Sequence, residues 1–275
     1  QYILPDRTLQ FEDLHGRPSD GKFSGNESTL PMAVLAKLQP EHPLVQQVIA
    51  YWPTLSTRAS TTAESAYTVG YPMAVIATRV RSEELAHAAM AQILHRRDRL
   101  IDGDDLYGIV YTESQQRTMR NWARSYTWYM LGMIRTWSEL HAASDYAGLE
   151  GMNEIAQEFR RIAQVALARR ESNGLWACFL GESETGIETS GSAGIAAALA
   201  LGAKQGLLPP QSFDAAREAL EALKAYLTPD GLLSGVCQHN CGGLSLQREG
   251  YRTLSQMGMG LMSQLFAAVH APAIP

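Results

Sequence analysis

The sequence predicts an all-α fold, a toroid in which helical hairpins follow one another around a common axis. Three observations support this prediction. Helices with a charged face alternate with helices that have none, three similar turns separate the two kinds, and strand periodicity never extends beyond short pieces after those turns. An irregular helical bundle is the alternative that the same pattern leaves open.

Two hairpins are predicted in the first hundred residues, after an irregular segment over residues 1–25. In the first hairpin NESTLPMAVLAKL pairs with HPLVQQVIAYW, and in the second ESAYTVGYPMAVIATRV pairs with SEELAHAAMAQIL. Pro31 and Pro72 fall in or near the first turns of helices, where the missing backbone N–H has no intrahelical partner to lose. The length of the chain fits a single domain over residues 1–275.

The rest of the chain repeats a unit of charged helix, turn, loop and uncharged helix. The turns DDLYG, NGLWA and DGLLS begin at Asp104, Asn173 and Asp230. The charged helices before them are SEELAHAAMAQILHRRDRL, MNEIAQEFRRIAQVALARR and QSFDAAREALEALKAYLTP, and the uncharged ones after them are NWARSYTWYMLGMIRTWSEL, IETSGSAGIAAALALGAKQG and TLSQMGMGLMSQLFAAVH. In a ring of hairpins, the charged helices would face water and the uncharged helices would be enclosed.

The slimmest enclosed helix lies in GIETSGSAGIAAALALGAKQG, residues 186–206. Its glycines and alanines would let neighbouring helices approach closely near the axis. Inner helices of such a ring run in the same direction, so their N-termini, with free N–H groups and partial positive charge, collect on one face that suits an anionic ligand. Thr189 or Ser190 can cap this helix, and for Glu188 a capping role is favoured over a catalytic one.

Composition narrows the class of protein. The net charge of −5 and the lack of a Lys/Arg cluster argue against nucleic acid, and no apolar run is long enough to cross a membrane. The three cysteines favour a reducing compartment, so we expect a cytoplasmic location, with the periplasm as the alternative. We expect neither cofactor nor metal, because CQHNC at residues 237–241 supplies too few ligands for structural zinc. A homodimer is left open.

Aromatic side chains concentrate in the segments before and at the starts of the inner helices. Sugar rings stack on aromatic faces, so these segments indicate a carbohydrate site, with core packing as the alternative for each residue. His239 follows the third turn and would reach the same cleft. The candidate substrate-binding residues are Tyr111, Trp122, Arg124, Trp128, Trp176 and His239.

Three motifs in this order resemble glycoside hydrolase families 88 and 105, the unsaturated glucuronyl and rhamnogalacturonyl hydrolases. NGLWACFLGESETGIETSGSA is similar to their D-G-L-W and E-T-S-G-S-A motifs, NWARSYTWYM to W-A-R-G-N-G-W-Y, and TPDGLLSGVC to their next hairpin turn. The resemblance spans about residues 100–265. It implies an (α/α)6 barrel, of which this chain would lack about one hairpin at its N-terminal side.

The resemblance also implies an activity. An acidic side chain protonates the double bond of a 4,5-unsaturated uronic acid at a chain end, water adds to the neighbouring carbon, and the hemiketal opens to release the sugar. By position, Trp122, Arg124 and Trp128 would line the sugar subsite, with Arg124 bound to the uronate carboxylate through a bidentate pair.

The sequence departs from the family at the catalytic aspartates. One aspartate position falls on Thr112, with Glu113 next to it, and the other falls on Ser28, with Glu27 next to it. A second alignment of the latter, on AYTVGYPMAVIA, contains no carboxylate. A hydroxyl cannot protonate carbon, so Glu113, or else Glu27, is the predicted general acid. The alternatives are a degenerate barrel that only binds an acidic sugar, and a polysaccharide lyase on the same fold.

Overall fold

The computed structural model describes residues 23, 25–57, 59–238 and 243–271. Most of these residues are helical, which confirms the predicted fold class. The helices of the described residues are α1 (Pro31–Leu38), α2 (Pro43–Tyr51), α3 (Tyr71–Val80), α4 (Glu83–Leu100), α5 (Ala123–His141), α6 (Met152–Ala168), α7 (Thr189–Lys204), α8 (Pro210–Leu223), α9 (Gly243–Arg248) and α10 (Gln256–His270).

The inner helices form an arc in the order α1, α3, α5, α7 and α10, each packed on the next. The amphipathic helices α4, α6 and α8 lie outside this arc, as the charge pattern predicts, and α2 packs on α1. Among the described residues, α1 and α10 form no helix–helix interface. The described part of the toroid therefore has five inner positions rather than six.

The slim composition of the inner helices is explained by their contacts. A Cβ added at Gly194 of α7 would lie 2.1 Å from the Thr127 side chain on α5, and one added at Gly202 would lie 2.4 Å from the Phe159 ring on α6. One added at Gly132 of α5 would lie 2.4 Å from the backbone of Ala66. Glycine is thus required where the inner helices α5 and α7 pack most closely on their neighbours.

One segment that the sequence pattern leaves as a loop forms a small antiparallel sheet. The strands are β1 (Ser60–Thr62), β2 (Ile101–Asp102), β3 (Asp105–Tyr111) and β4 (Arg117–Arg120), with β5 (Val236–Cys237) and β6 (Arg252–Thr253) forming a second ladder. Strand β3 pairs with β1, β2 and β4. Its side chains alternate in burial, with Leu106, Gly108 and Val110 facing inward. The sheet joins α4 to α5 and forms one side of the site described next.

Candidate active site

A small cavity lies where the inner helices begin. Its lining includes Glu64, Trp122, Arg124, Trp128 and Met257, which come from the starts of α3, α5 and α10 or the segments just before them. The cavity has a volume of about 70 Å³, whereas typical ligand pockets measure roughly 300–1,000 Å³. A sugar ring therefore enters only if lining side chains move, and Met257 has the flexible thioether side chain that allows this.

Glu64 is the acidic residue among the described residues that line this cavity, and the sequence motifs do not point to it. The backbone N–H of Ala63 donates to the Gly108 carbonyl at 2.9 Å, which ties the chain to β3. A π-helical turn, Ala66–Gly70, follows, and the N–H groups of Tyr67 and Thr68 donate to the Glu64 carbonyl. The segment that aligns with the family motif begins at Ala66, two residues after Glu64. A carboxylate just before this segment is therefore the sequence signal that points to Glu64.

Arg124, in the first turn of α5, lines the cavity and also forms hydrogen bonds within the protein. Its Nη2 donates to the carbonyls of Cys237 and Gln238, and its Nε donates to the Cys237 Sγ at 3.2 Å. Among the described residues, its Nη1 contacts the Met257 Sδ, at 3.0 Å, and no other acceptor. A thioether is a weak acceptor, so Nη1 is the part of the guanidinium that is most available to donate to a ligand carboxylate in place of the sulfur.

Two tryptophans complete the aromatic wall. Trp128 stacks on Tyr67 with ring centroids 5.6 Å apart, and the Arg124 guanidinium lies 5.2 Å from the Trp122 ring centre. The buried Nε1 of Trp122 has no hydrogen-bond partner within the described ranges. The structure thus brings together three of the predicted sugar-binding residues, Trp122, Arg124 and Trp128.

Glu188 is the N-cap of α7. Its carboxylate accepts the backbone N–H groups of Ser190, Gly191 and Cys237, and the side chain is fully buried. This geometry matches the capping role that the sequence favours for Glu188. The N-cap residue is Glu188 and not Thr189 or Ser190, the two residues expected to cap the helix. The cap also fixes the segment around Cys237, which in turn holds Arg124.

The remaining predicted site residues lie elsewhere. Glu113 is exposed in the turn between β3 and β4, and Glu27 is exposed before α1; neither lines the cavity. Tyr111 is 41% exposed at the end of β3. Trp176 is fully buried, and its Nε1 donates to the Ala166 carbonyl at 2.7 Å, so it is a core residue. His239 lies outside the described residues.

Ser125, Tyr126 and Thr127 stand where the family motif W-A-R-G-N-G-W-Y has the smaller Gly-Asn-Gly, a difference expected to narrow the sugar subsite, but only one of the three side chains lies at the cavity. Ser125 lines the cavity. The Tyr126 hydroxyl instead donates to Asn121, and burial raises the pKa of Tyr126 to about 12. The Thr127 hydroxyl donates to the Gly191 carbonyl, which joins α5 to α7. Tyr126 and Thr127 are therefore packing residues between elements of the ring.

Cys178 and Cys237 are buried beside the site as free thiols. Burial, followed by the neighbouring Cys178, raises the pKa of Cys237 well above its ordinary value. Because the thiolate is the nucleophilic form, Cys237 is unsuited to nucleophilic catalysis.

Comparison with known proteins agrees with this architecture. Residues 66–270, most of the chain, match the family described as Glycosyl Hydrolase Family 88. The chain belongs to this family. The match begins at the π-helical turn and ends with α10, so it covers every inner helix except α1.

Solved structures share the fold of this family member at low sequence identity. A possible family 105 member from Salmonella enterica serovar Paratyphi A superposes with a TM-score of 0.78 at 16% identity, covering 91% of this chain and 73% of the other. A family 105 glycoside hydrolase from C. acetobutylicum gives 0.72 at 17% identity, covering 88% and 77%. The unsaturated glucuronyl hydrolase from Bacillus sp. GL1 gives 0.56 at 19% identity, covering 77% and 59%.

Curated proteins give no match to the sequence. Among the described helices, none has the length and apolar character that crossing a membrane requires.

Proposed function

We propose that this family 88 member removes an unsaturated uronic acid from the end of an oligosaccharide. The observation that carries the proposal is the cavity at the inner helix starts, where one carboxylate, one guanidinium and two indole rings meet. This set matches the needs of the reaction, which are a proton donor, a partner for the uronate carboxylate and apolar faces for the sugar ring.

In this proposal Glu64 is the general acid, in place of the exposed Glu113 or Glu27. The Glu64 carboxyl gives its proton to the carbon of the vinyl ether double bond, and water adds its oxygen to the adjacent carbon. The resulting hemiketal opens to a ketone by breaking the ring C5–O bond, with the hydroxyl proton passing to the ring oxygen. This leaves a hemiacetal at C1, whose collapse to an aldehyde breaks the bond to the leaving sugar. The carboxylate left on Glu64 takes back a proton from the attacking water, so the enzyme ends in its starting state.

Substrate binding in this proposal requires a rearrangement of Met257. When its thioether moves, the Arg124 Nη1 loses a weak acceptor and gains the uronate carboxylate, a stronger one. The same movement widens the cavity between Trp122 and Trp128. Binding therefore exchanges a sulfur contact for a charge-assisted pair.

The test is the loss of ultraviolet absorbance from unsaturated oligouronides, which reports consumption of the conjugated double bond. We expect Glu64→Gln to lower kcat by about 10²–10⁴-fold with little change in KM, because an amide cannot donate the required proton. Glu113→Gln is the matched control and should keep wild-type kcat. A Glu64→Gln enzyme with undiminished kcat would remove this residue from catalysis.

One observation favours a second candidate function, a degenerate barrel that binds an acidic sugar without cleaving it. The cavity is small, and most guanidinium donors of Arg124 are already bound internally. Unchanged absorbance together with calorimetric binding of the unsaturated oligouronide would support this candidate. A rise in absorbance on intact uronan would instead indicate a lyase.

A further inference from the structure

A second, larger concavity lies on the outside of the arc. It is a groove of about 1,000 Å³ between α4 on one side and the segment after α2 on the other. The β1 segment separates this groove from the cavity, since Thr61 and Ser65 line the groove while Thr62 and Glu64 line the cavity. The groove is therefore a distinct site that shares one wall with the cavity.

The arginines at the end of α4 differ in their ion pairing according to the direction they face. Arg97 faces away from the groove and pairs with Asp98 at 2.8 Å and Glu154 at 2.6 Å. Arg96 and Arg99 line the groove, and neither has a carboxylate partner in the part of the chain that the structure describes. Two cations thus face the groove without an acidic partner among the residues that the structure describes.

Arg96 is the more constrained of the two, with only 7% of its surface exposed. Its Nε donates to the Thr62 carbonyl at 3.0 Å, and its Nη1 donates to the carbonyl and side chain of Gln92. The Nη2 group finds no acceptor among the described residues. Burial lowers the pKa of Arg96 to about 10, so the group stays protonated at neutral pH. A buried cation of this kind is stabilised by an anionic partner.

The opposite wall offers an apolar surface. Ile49 and Leu55 are half-buried and line this wall. Trp52 belongs to the same wall but is only 4% exposed, so it contributes little surface to the groove, and its indole Nε1 has no hydrogen-bond partner within the described ranges. The one acidic residue among the described lining residues, Glu84, is twelve positions before Arg96 on α4, which places it roughly 18 Å along the helix. At that distance Glu84 does not neutralise Arg96 and Arg99, so the arginine end of the groove carries positive charge.

We propose that this groove binds a carboxylate-bearing oligosaccharide as a second site, with a uronate carboxylate between the Arg96 Nη2 and Arg99 and a sugar face against the apolar wall formed by Ile49 and Leu55. Charge complementarity selects an acidic sugar chain over a neutral one. The proposal concerns binding only, so it stands or falls separately from the catalytic role of Glu64.

The test is calorimetric titration with a saturated oligogalacturonide, which lacks the double bond that the proposed reaction consumes. Arg99→Ala should weaken binding about tenfold, because it removes one charged partner of the carboxylate. Arg97→Ala is the matched control from the same turn and should bind like the wild type. Arg99 makes no hydrogen bond to any described residue, so its loss leaves the fold intact. A neutral oligosaccharide of the same length should bind at least tenfold more weakly than the oligogalacturonide.

A cavity variant separates the two sites. Trp128→Ala should retain the affinity for the saturated oligogalacturonide, and hydrogen exchange should show ligand protection in the second half of α4. Equal affinities for Arg99→Ala, Arg97→Ala and wild type would overturn the proposal. Loss of binding in Trp128→Ala alone would also overturn it, because the ligand would then occupy the cavity.

Discussion

At the scale of single residues, Arg124 shows how a predicted ligand group is also part of the structure. The family resemblance predicts a side chain that only binds substrate, and its replacement by alanine would then leave the fold intact. In the structure its guanidinium holds the carbonyls of Cys237 and Gln238 and is 3% exposed. Binding and stability therefore depend on the same side chain.

We expect Arg124→Ala to lower the free energy of unfolding by about 3 kcal/mol, because two carbonyls lose a charged donor in a buried place. Urea denaturation followed by circular dichroism measures this change. Arg120→Ala is the control, since Arg120 is exposed and its ion pairs are 3.6 and 3.8 Å long; its loss should cost less than about 1 kcal/mol. A stable Arg124→Ala protein would mean that the segment around Cys237 is held by Glu188 alone.

Asp105 gives a pH dependence whose sign follows from its partners. The Asn121 side chain donates to its carboxylate at 2.6 Å and Arg169 donates at 3.2 Å, and these contacts lower the pKa of Asp105 below its ordinary value. A lowered pKa in the folded state means that the contribution to stability is present above the unfolded pKa. It is lost as the pH falls through the folded pKa.

Asp105→Asn should therefore be less stable than wild type at pH 7, with a difference in unfolding free energy that shrinks as the pH falls below about 4. Denaturation midpoints measured across that range check the sign. A difference that grows towards acid pH would contradict the assignment of Asn121 and Arg169 as partners of the carboxylate.

At the scale of elements, the close contact between the π-helical turn and α5 limits the size of the side chain that position 132 can carry. A methyl group at Gly132 would meet the backbone of Ala66, which cannot rotate away as a side chain can. We expect Gly132→Ala to destabilise the protein by about 2 kcal/mol, because overpacking outweighs the gain in helix propensity.

Gly260 in α10 is the matched control, since a Cβ there would meet nothing within 4 Å. Gly260→Ala should raise the unfolding free energy by about 0.5–1 kcal/mol, because alanine is the better helix former. Thermal denaturation of both variants measures whether each substitution lowers or raises the stability of the protein. Stabilisation by Gly132→Ala would show that the turn and α5 can separate.

At the scale of the whole molecule, each hairpin packs mainly on its sequence neighbours, and the arc ends at α1 and α10. Side chains at the two ends should then be energetically independent. We expect Val48→Ala in α2 and Leu265→Ala in α10 to add within about 0.5 kcal/mol in a double-mutant cycle. A larger coupling would mean that the ends of the arc contact each other in solution.

A contacting pair supplies the positive control for this cycle. Gly202→Ala places a methyl group against the Phe159 ring, and Phe159→Leu should relieve that clash. The pair should therefore show a favourable coupling of more than about 1 kcal/mol in the same denaturation experiment.

The hairpin order, the two kinds of helix and the use of glycine at inner contacts were predictable from the sequence, because they follow from local periodicity and composition. The same holds for Trp122, Arg124 and Trp128, which share one helix start and one motif. The sequence pattern does not predict the sheet, because one of the inward positions of β3 is a glycine, Gly108, which weakens the alternation of apolar and polar side chains.

The tertiary structure alone decided which carboxylate faces the cavity and which faces water. The sequence favours Glu113 because it stands next to an aligned position on a predicted loop, where a shift of one residue is tolerable, yet the hairpin of β3 and β4 carries it into solvent. Glu64 reaches the cavity because β1 pairs with β3 and the π-helical turn then redirects the chain. The groove likewise depends on the spacing between α4 and the segment after α2. Periodicity reports how a segment is buried, but the partners of a side chain are set by contacts between segments far apart in the chain.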